Sequence, residues 1–308
     1  MKLLALVFAV VALAVVALVF VVVQPFVGAG PRWDGPPAEA ARLESTVRAL
    51  VALGPRHDEA GMARAADFLA DRLRELGLAP AAQEYRFEDG RYRNLIVQFG
   101  PQTARRVVIG AHYDVRGPFA GADDNSSGTA GLLELARLFQ THPPPVRTEL
   151  VFYPREEVRG MGSEVHAKSL PAGAVSAMVV LEMIGCFDQP QQFPFAAILK
   201  HLYPAYGDYI VVVGRPQDFF LVRTLKRGLK GTGLGVESIN GPEAIPGIGN
   251  SDHRNYWLQG IHAAMITDTS WYRNPRYHTA RDTPETLDYA RMAKVVEGVA
   301  AAISEIPR

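Results

Sequence analysis

The sequence predicts a single α/β domain on a mixed, mostly parallel central sheet with helices on both faces, preceded by an N-terminal transmembrane helix. Three observations carry that expectation. Residues 3–23 form an unbroken apolar run behind Lys2, longer than the roughly 18 residues that suffice to span a bilayer. From Arg106 onward, short runs that are apolar throughout, such as Val107-Val108-Ile109 and Leu150-Val151-Phe152-Tyr153, alternate with stretches of helical period. Between these regions, residues 82–87 and 92–99 alternate polar and apolar around Asp89-Gly90, the pattern of an antiparallel hairpin.

The elements follow in order. Residues 1–27 read as a signal anchor or signal peptide. The run has no polar face, which disfavours a buried soluble helix, and it exceeds the roughly 7–15 residues of a signal-peptide core. An uncleaved anchor is therefore favoured, with cleavage at Val27-Gly28-Ala29 as the alternative. Lys2 and the amino terminus keep the start cytoplasmic, so the rest is expected outside, in the periplasm or at the cell surface, or secreted if cleaved. Residues 28–37, rich in Gly and Pro, read as a linker, and 38–308 as the domain. Residues 38–53 and 59–76 carry apolar side chains at helical spacing, separated by Gly54-Pro55 and stopped by Gly77. Further strands are expected at 107–109, 149–153, 177–183, 209–213 and 262–267. Helices are expected at 129–139, at 163–170 with Ser163 as N-cap, at 217–230, and at 284–303 with Pro284 in the first turn. Residues 185–207 and 241–251 are long loops expected to wall a cleft.

Composition excludes some classes. Lys+Arg and Asp+Glu both number 32, and no basic run stands out, so no nucleic-acid partner is expected. The one cysteine, Cys186, cannot form an intrachain disulfide and reads as a small buried residue.

The chemistry concentrates in five segments. His112-Tyr113-Asp114 ends a buried strand, and side chains two apart on a strand share a face, so Asp114 can reach the His112 ring and fix its tautomer. Gly121 to Gly128 sets Asp123, Asp124 and Asn125 in a tight loop before a helix, where a carboxylate can bridge two cations or cap the helix. Glu156-Glu157 is an adjacent carboxylate pair after a strand. Two nearby cations would justify it, one carboxylate binding metal while the other moves a proton; a solvated acidic turn is the plainer alternative. Glu182 interrupts an apolar strand and needs a metal or a basic partner. Tyr277-His278 pairs an imidazole ligand with a phenol donor.

Taken together, Gly110 to Asp114, the Gly-Ala-Asp-Asp-Asn loop, Glu156-Glu157 with Gly162-Ser163, Leu181 to Gly185, Ser251-Asp252-His253 and Tyr277 to Thr279 with Asp282-Thr283 resemble the co-catalytic zinc exopeptidases. That family includes the bacterial leucyl aminopeptidases and has the glutamate carboxypeptidase, transferrin-receptor and glutaminyl cyclase ectodomains as relatives. The resemblance runs from about Pro55 to the terminal helix. It implies two zinc ions, with His112 and Glu182 on one, Glu157 and His278 on the other, and Asp124 bridging them. It further implies Asp114 supporting His112, Glu156 as general base and acid, and Tyr277 stabilising the oxyanion. A peptide is the implied substrate, and an aminopeptidase the implied activity. Glu182 stands where the aminopeptidases often have Asp, which keeps a one-zinc, glutaminyl cyclase-like reaction open as the alternative. A non-catalytic binding ectodomain is the other. Asp123 falls where this loop varies and is not expected to be a ligand; Asp252 and His253 are expected to line or brace the site. Phe193, Phe195 and Tyr206 are candidates for an apolar specificity pocket.

Overall fold

The computed structural model describes residues 2–87, 90–193 and 199–307. The chain begins with helix α1 (Lys2–Val23), followed by α2 (Ala40–Ala52), α3 (Glu59–Glu75) and the hairpin strands β1 (Ala81–Phe87) and β2 (Gly90–Phe99). Then come β3 (Arg106–His112), α4 (Gly128–Thr141), β4 (Thr148–Tyr153), α5 (Met161–Ser169) and β5 (Val175–Glu182). The last part contains β6 (Tyr209–Gly214), α6 (Phe219–Gly231), β7 (Gly235–Asn240), α7 (His253–Trp257), β8 (Ala263–Thr267) and α8 (Tyr289–Ile303).

The eight strands form one sheet in the order β1-β2-β4-β3-β5-β8-β6-β7. Its centre, β4-β3-β5-β8, is parallel. β1 and β2 add antiparallel on one side. On the other side β6 runs antiparallel to β8, and β7 runs parallel to β6. The strands are apolar throughout because both faces are covered. Val107, Ile109, Val179 and Leu181 pack with Leu69, Leu135, Val222 and Val296 of the helices on one face. Val108, Met178 and Val180 pack with Ala167, Tyr256 and Trp257 on the other. Each such side chain contributes about 1.5–3 kcal/mol when fully buried.

Several boundaries differ from the expected ones for local reasons. The helix expected from Ser163 starts at Met161 after Gly160 at φ +61°, and Ser163 lies inside it, its hydroxyl donating to Gly160 O at 3.0 Å. The helix expected over 284–303 is interrupted. Pro284–Thr286 forms a 3-10 turn, and α8 begins after Asp288, whose carboxylate accepts from Arg291 N. A 3-10 turn, Pro216–Asp218, likewise precedes α6. Strand β7 and helix α7 had no sequence signal: β7 is an edge strand with polar Glu237, Ser238 and Asn240, and α7 spans five residues. Asp89 of the expected turn lies outside the described residues, as does Phe195.

α1 is long and apolar enough to cross a membrane, about 33 Å at 1.5 Å per residue, and Leu4, Leu6, Phe8, Leu13, Val16 and Leu18 along it are exposed. Helices α6 and α8 pack closely through glycines. A Cβ on Gly228 would lie 2.6 Å from Gly298 O and 2.7 Å from Ala302 Cβ. Gly228→Val is expected to destabilise the protein by about 1–3 kcal/mol through overpacking, lowering Tm by several degrees in a calorimetric scan. An unchanged Tm would show that the two helices do not approach this closely.

Candidate metal centre

The site is assembled where β3, β4, β5 and β8 end, at the carboxyl edge of the parallel strands, as open α/β sheets place chemistry. His112 is the last residue of β3 and is fully buried. Its carbonyl accepts from Thr129 Oγ1 at 2.6 Å, which ties α4 to the strand end. Asp114 Oδ1 lies 3.3 Å from His112 Nδ1. The same carboxylate accepts from the backbone N–H groups of Glu156 at 3.0 Å and Glu157 at 3.2 Å. Asp114 therefore sets both the imidazole and the acidic turn after β4.

Asp124 stands between the two histidines. Its Oδ1 is 3.4 Å from His112 Nε2 and its Oδ2 is 2.9 Å from His278 Nε2. Glu182 Oε2 is 3.4 Å from His112 Nε2 and accepts from Ser251 Oγ at 2.7 Å. Glu157 Oε1 is 3.1 Å from His278 Nε2. Two ligand groups result, His112 with Asp124 and Glu182, and Asp124 with Glu157 and His278, the donor atoms of each lying within 4.8 Å of one another. Glu156 belongs to neither group; its Oε2 is 3.9 Å from His112 Nε2.

The donor set fits metal cations. Nε2 of buried His112 lacks a hydrogen-bond partner, and Asp124 and Glu182 each stand 3.4 Å from it, wide for hydrogen bonds but suited to sharing an ion. The electrostatics agree. Burial, then the charge of Asp124, pushes the Glu157 carboxyl up to about 7. Burial raises Glu156 well above the usual range against the pull of His112, with Glu182 adding to the rise. Burial opposes charge on Asp124 too, but the His112 and His278 imidazoles beside it hold it well below the usual range. Burial works against protonated His278, yet Asp124 and Glu157 lift it to about 9. Negative charge is in excess, and metal ions of the expected kind would relieve it.

The loop that carries Asp124 is stitched to its surroundings. The Asp282 carboxylate accepts from Asp123 N at 2.8 Å and Asp124 N at 3.1 Å. Asn125 Oδ1 accepts from Gly128 N and Met183 N, both at 3.0 Å, while its amide donates to Leu181 O. The approach to β5 needs glycine at 128, where a Cβ would meet Leu181 O at 2.3 Å. Buried Arg56 donates to Tyr113 O, Gly121 O and Ser126 Oγ and closes the loop from below.

Other residues separate cleanly. Asp123 points away from both groups: its carboxylate accepts from Gly185 N and Asn274 Nδ2 and faces Asp268. Burial and then the charge of Asp123 push Asp268 well up. Asp252 is buried behind the site with both carboxylate oxygens unpartnered, and burial lifts it to about 7. His253 Nε2 sits 2.7 Å from Ile248 O, bracing the 241–251 loop. The Tyr277 ring stacks on His278 at 3.7 Å and lies 5.5 Å from Trp271. Phe193 stacks on Tyr203 and helps line an apolar cavity with Ile245, Ile248, Trp271 and Tyr272; Tyr206 is exposed. Sequence reasoning missed Arg56, Asp268 and Asn274 as site supports, while Ser251 and Asp282 fell in family-like segments without an assigned task.

An α/β sheet that ends in two linked carboxylate–imidazole groups defines the architecture of a metal-dependent hydrolase. The chain belongs to peptidase family M28, whose family model matches residues 94–303. It is 42% identical over 296 residues to the uncharacterized protein YfbL of Escherichia coli strain K12, covering 90% of this chain and 91% of that one. It is 26% identical to a probable leucine aminopeptidase of Trichophyton verrucosum, over 70% of this chain and 56% of that protein. The chain thus spans about half the length of that relative. The fold matches a zinc aminopeptidase from Bacillus subtilis with TM-score 0.70 at 17% identity, over 87% of this chain and 95% of that one. It also matches a Bacteroides thetaiotaomicron glutaminyl cyclase with TM-score 0.69 at 18% identity, over 88% and 99%.

Asp282→Asn leaves one acceptor oxygen for two backbone N–H groups. Metal-free protein carrying it is expected to lose about 1–3 kcal/mol in chemical denaturation, and an unaltered midpoint would remove Asp282 from the support of this loop.

Proposed function

We infer that this protein is a zinc-dependent aminopeptidase that removes N-terminal residues from peptides. The observation that carries the reading is Asp124 shared between two ligand groups, with Glu156 beside them and outside both. The aminopeptidase names among its relatives favour this end of the peptide.

In this reading His112 and Glu182 hold one zinc, Glu157 and His278 a second, and Asp124 both. Bound zinc supplies a Lewis acid that polarises the scissile carbonyl and acidifies water. The chain's residues do the rest. Asp114 keeps the His112 ring turned so that Nε2 faces Asp124 and Glu182. Glu156, fixed through its backbone by Asp114 and free of the ligand groups, takes a proton from the attacking water and passes it to the leaving amine. The Tyr277 phenol, kept protonated by burial and then by the negative charge of Asp124 and Glu157, donates to the developing oxyanion. α1 anchors the chain, with Lys2 cytoplasmic and the catalytic domain on the other side of the membrane.

The full-length protein in detergent, loaded with zinc, is expected to cleave leucyl-p-nitroanilide but not its N-acetyl form, and to lose activity with a chelator. Failure on both substrates, with cyclisation of an N-terminal glutaminyl peptide instead, would replace the reading with a cyclase. Glu156→Gln should retain its zinc content and slow turnover by about 100-fold or more; near wild-type turnover would remove Glu156 from proton transfer. Zinc counting should give two ions per wild-type chain, one in Glu157→Gln or Glu182→Gln, and none in Asp124→Asn. One ion in the wild type would refute the bridged pair.

A further inference from the structure

The end of α1 is built into the domain. Val23, Gln24 and Val27 are buried. The Gln24 side-chain amide donates to Asn240 Oδ1 at 2.7 Å and to Phe219 O at 3.1 Å. Buried Lys226 donates to Val23 O at 3.0 Å and Gln24 O at 3.3 Å, and Ser238 Oγ donates to Val23 O at 2.9 Å. A lysine on the last carbonyls of a helix satisfies them and meets the negative end of its dipole. Further on, Lys230 Nζ donates to Val27 O at 2.7 Å and Gly30 N to Arg227 O at 2.8 Å. A Cβ on Gly231 would meet Pro31 O at 2.6 Å. The chain leaves α1 already pinned along α6, with no free hinge between helix and domain.

Strand directions say which end is pinned. β6 runs antiparallel to β8, with Val211 opposite Thr267 and Val213 opposite Met265. Gly214 and its β7 partner Asn240 therefore lie where β8 begins, together with Phe219 at the start of α6. His112 and Glu182 lie at the other end of the sheet, where β3 and β5 finish. Three exposed large apolar side chains outside α1 belong to this end. Phe220 is 78% exposed beside Phe219, and Phe26 is 81% exposed with its ring 6.4 Å from that of Phe20 in α1. Leu258 is 60% exposed after α7, on the turn that leads into β8. Single exposed apolar residues are ordinary, but these three share the end of the sheet from which a 22-residue apolar helix emerges.

We propose that this end of the domain is a bilayer-facing surface, with Phe26, Phe220 and Leu258 entering the boundary between headgroups and acyl chains and the metal site turned away from the membrane. The partner is the lipid interface, which accepts aromatic and leucine side chains at this depth. The proposal rests on α1 as a membrane anchor, and it adds a fixed orientation to that reading.

The test uses the full chain in nanodiscs of phosphatidylethanolamine and phosphatidylglycerol. Nitroxide labels go on Phe220→Cys, Leu258→Cys, Val158→Cys and Leu13→Cys, with the wild type as the unlabelled control because Cys186 is buried. Relaxation by oxygen and by a water-soluble nickel chelate reports depth. Labels at 13, 220 and 258 are expected to favour oxygen, and the label at 158, beside the metal site, to favour the chelate. A lipid-buried label at 13 with labels at 220 and 258 as wet as the one at 158 would overturn the orientation and leave the anchor standing. A wet label at 13 would overturn both.

Discussion

The structure is organised around an excess of buried negative charge. Asp114, Asp124, Glu156, Glu157, Glu182 and Asp252 converge within one small region, and among the described residues none is ion-paired there to a lysine or arginine. Buried Arg56 spends its donors on backbone carbonyls and a serine, and burial lowers its own pKa to about 10. An uncompensated buried carboxylate costs several kcal/mol, so the cluster persists only if something else answers it. The fold uses two answers. Two histidines stand among the inner carboxylates, whereas Asp123 and Asp268, one layer out, turn their oxygens to backbone N–H groups.

That arrangement shapes the backbone around it. Arg155, Met183 and His278 adopt left-handed φ values of +61°, +51° and +54°, and each is next to a proposed functional residue or is one. Such positions cost about 1–2 kcal/mol each for residues with a Cβ. The surroundings hold them. Met183 N is tied to Asn125 Oδ1, and the Arg155 guanidinium rests over the Phe87 and Tyr92 rings. Asp114 fixes the turn that follows Arg155. The sharp reversals, two just after strand ends and one in the loop beyond β8, aim side chains at one volume.

Much of this was readable because the chemistry sits where hydrophobic pattern ends. His112 and Glu182 terminate apolar strands, and Glu156-Glu157 follows one, so locating the strands located the carboxylates. What escaped is what depends on distant partners. Ser238 and Asn240 make β7 look like a loop; their polar groups are satisfied by Val23 and Gln24, more than 200 positions away in the chain. Arg56, between Pro55 and His57, carries no local mark of burial, because carbonyls it donates to come from the distant His112 and Asp124 segments. Ser163 looked like a cap, but Gly160, free to take a positive φ, starts that helix two residues earlier than the expected one. Local preference decided element type; long-range hydrogen bonding decided the edges.

The seam between Val23 and β7 also dictates an order of events in synthesis. Val23 leaves the ribosome 215 residues before Ser238. At about 5–20 residues per second that is a wait of roughly 10–40 s. During that interval α1 is complete, but the carbonyls at its end have only water or headgroups to bind, and no edge strand exists to receive them. A contact of such sequence separation closes late and carries a large loop-closure cost. The sheet must be extended as far as β7 before the first helix acquires its place, so the oldest part of the chain is among the last to be locked.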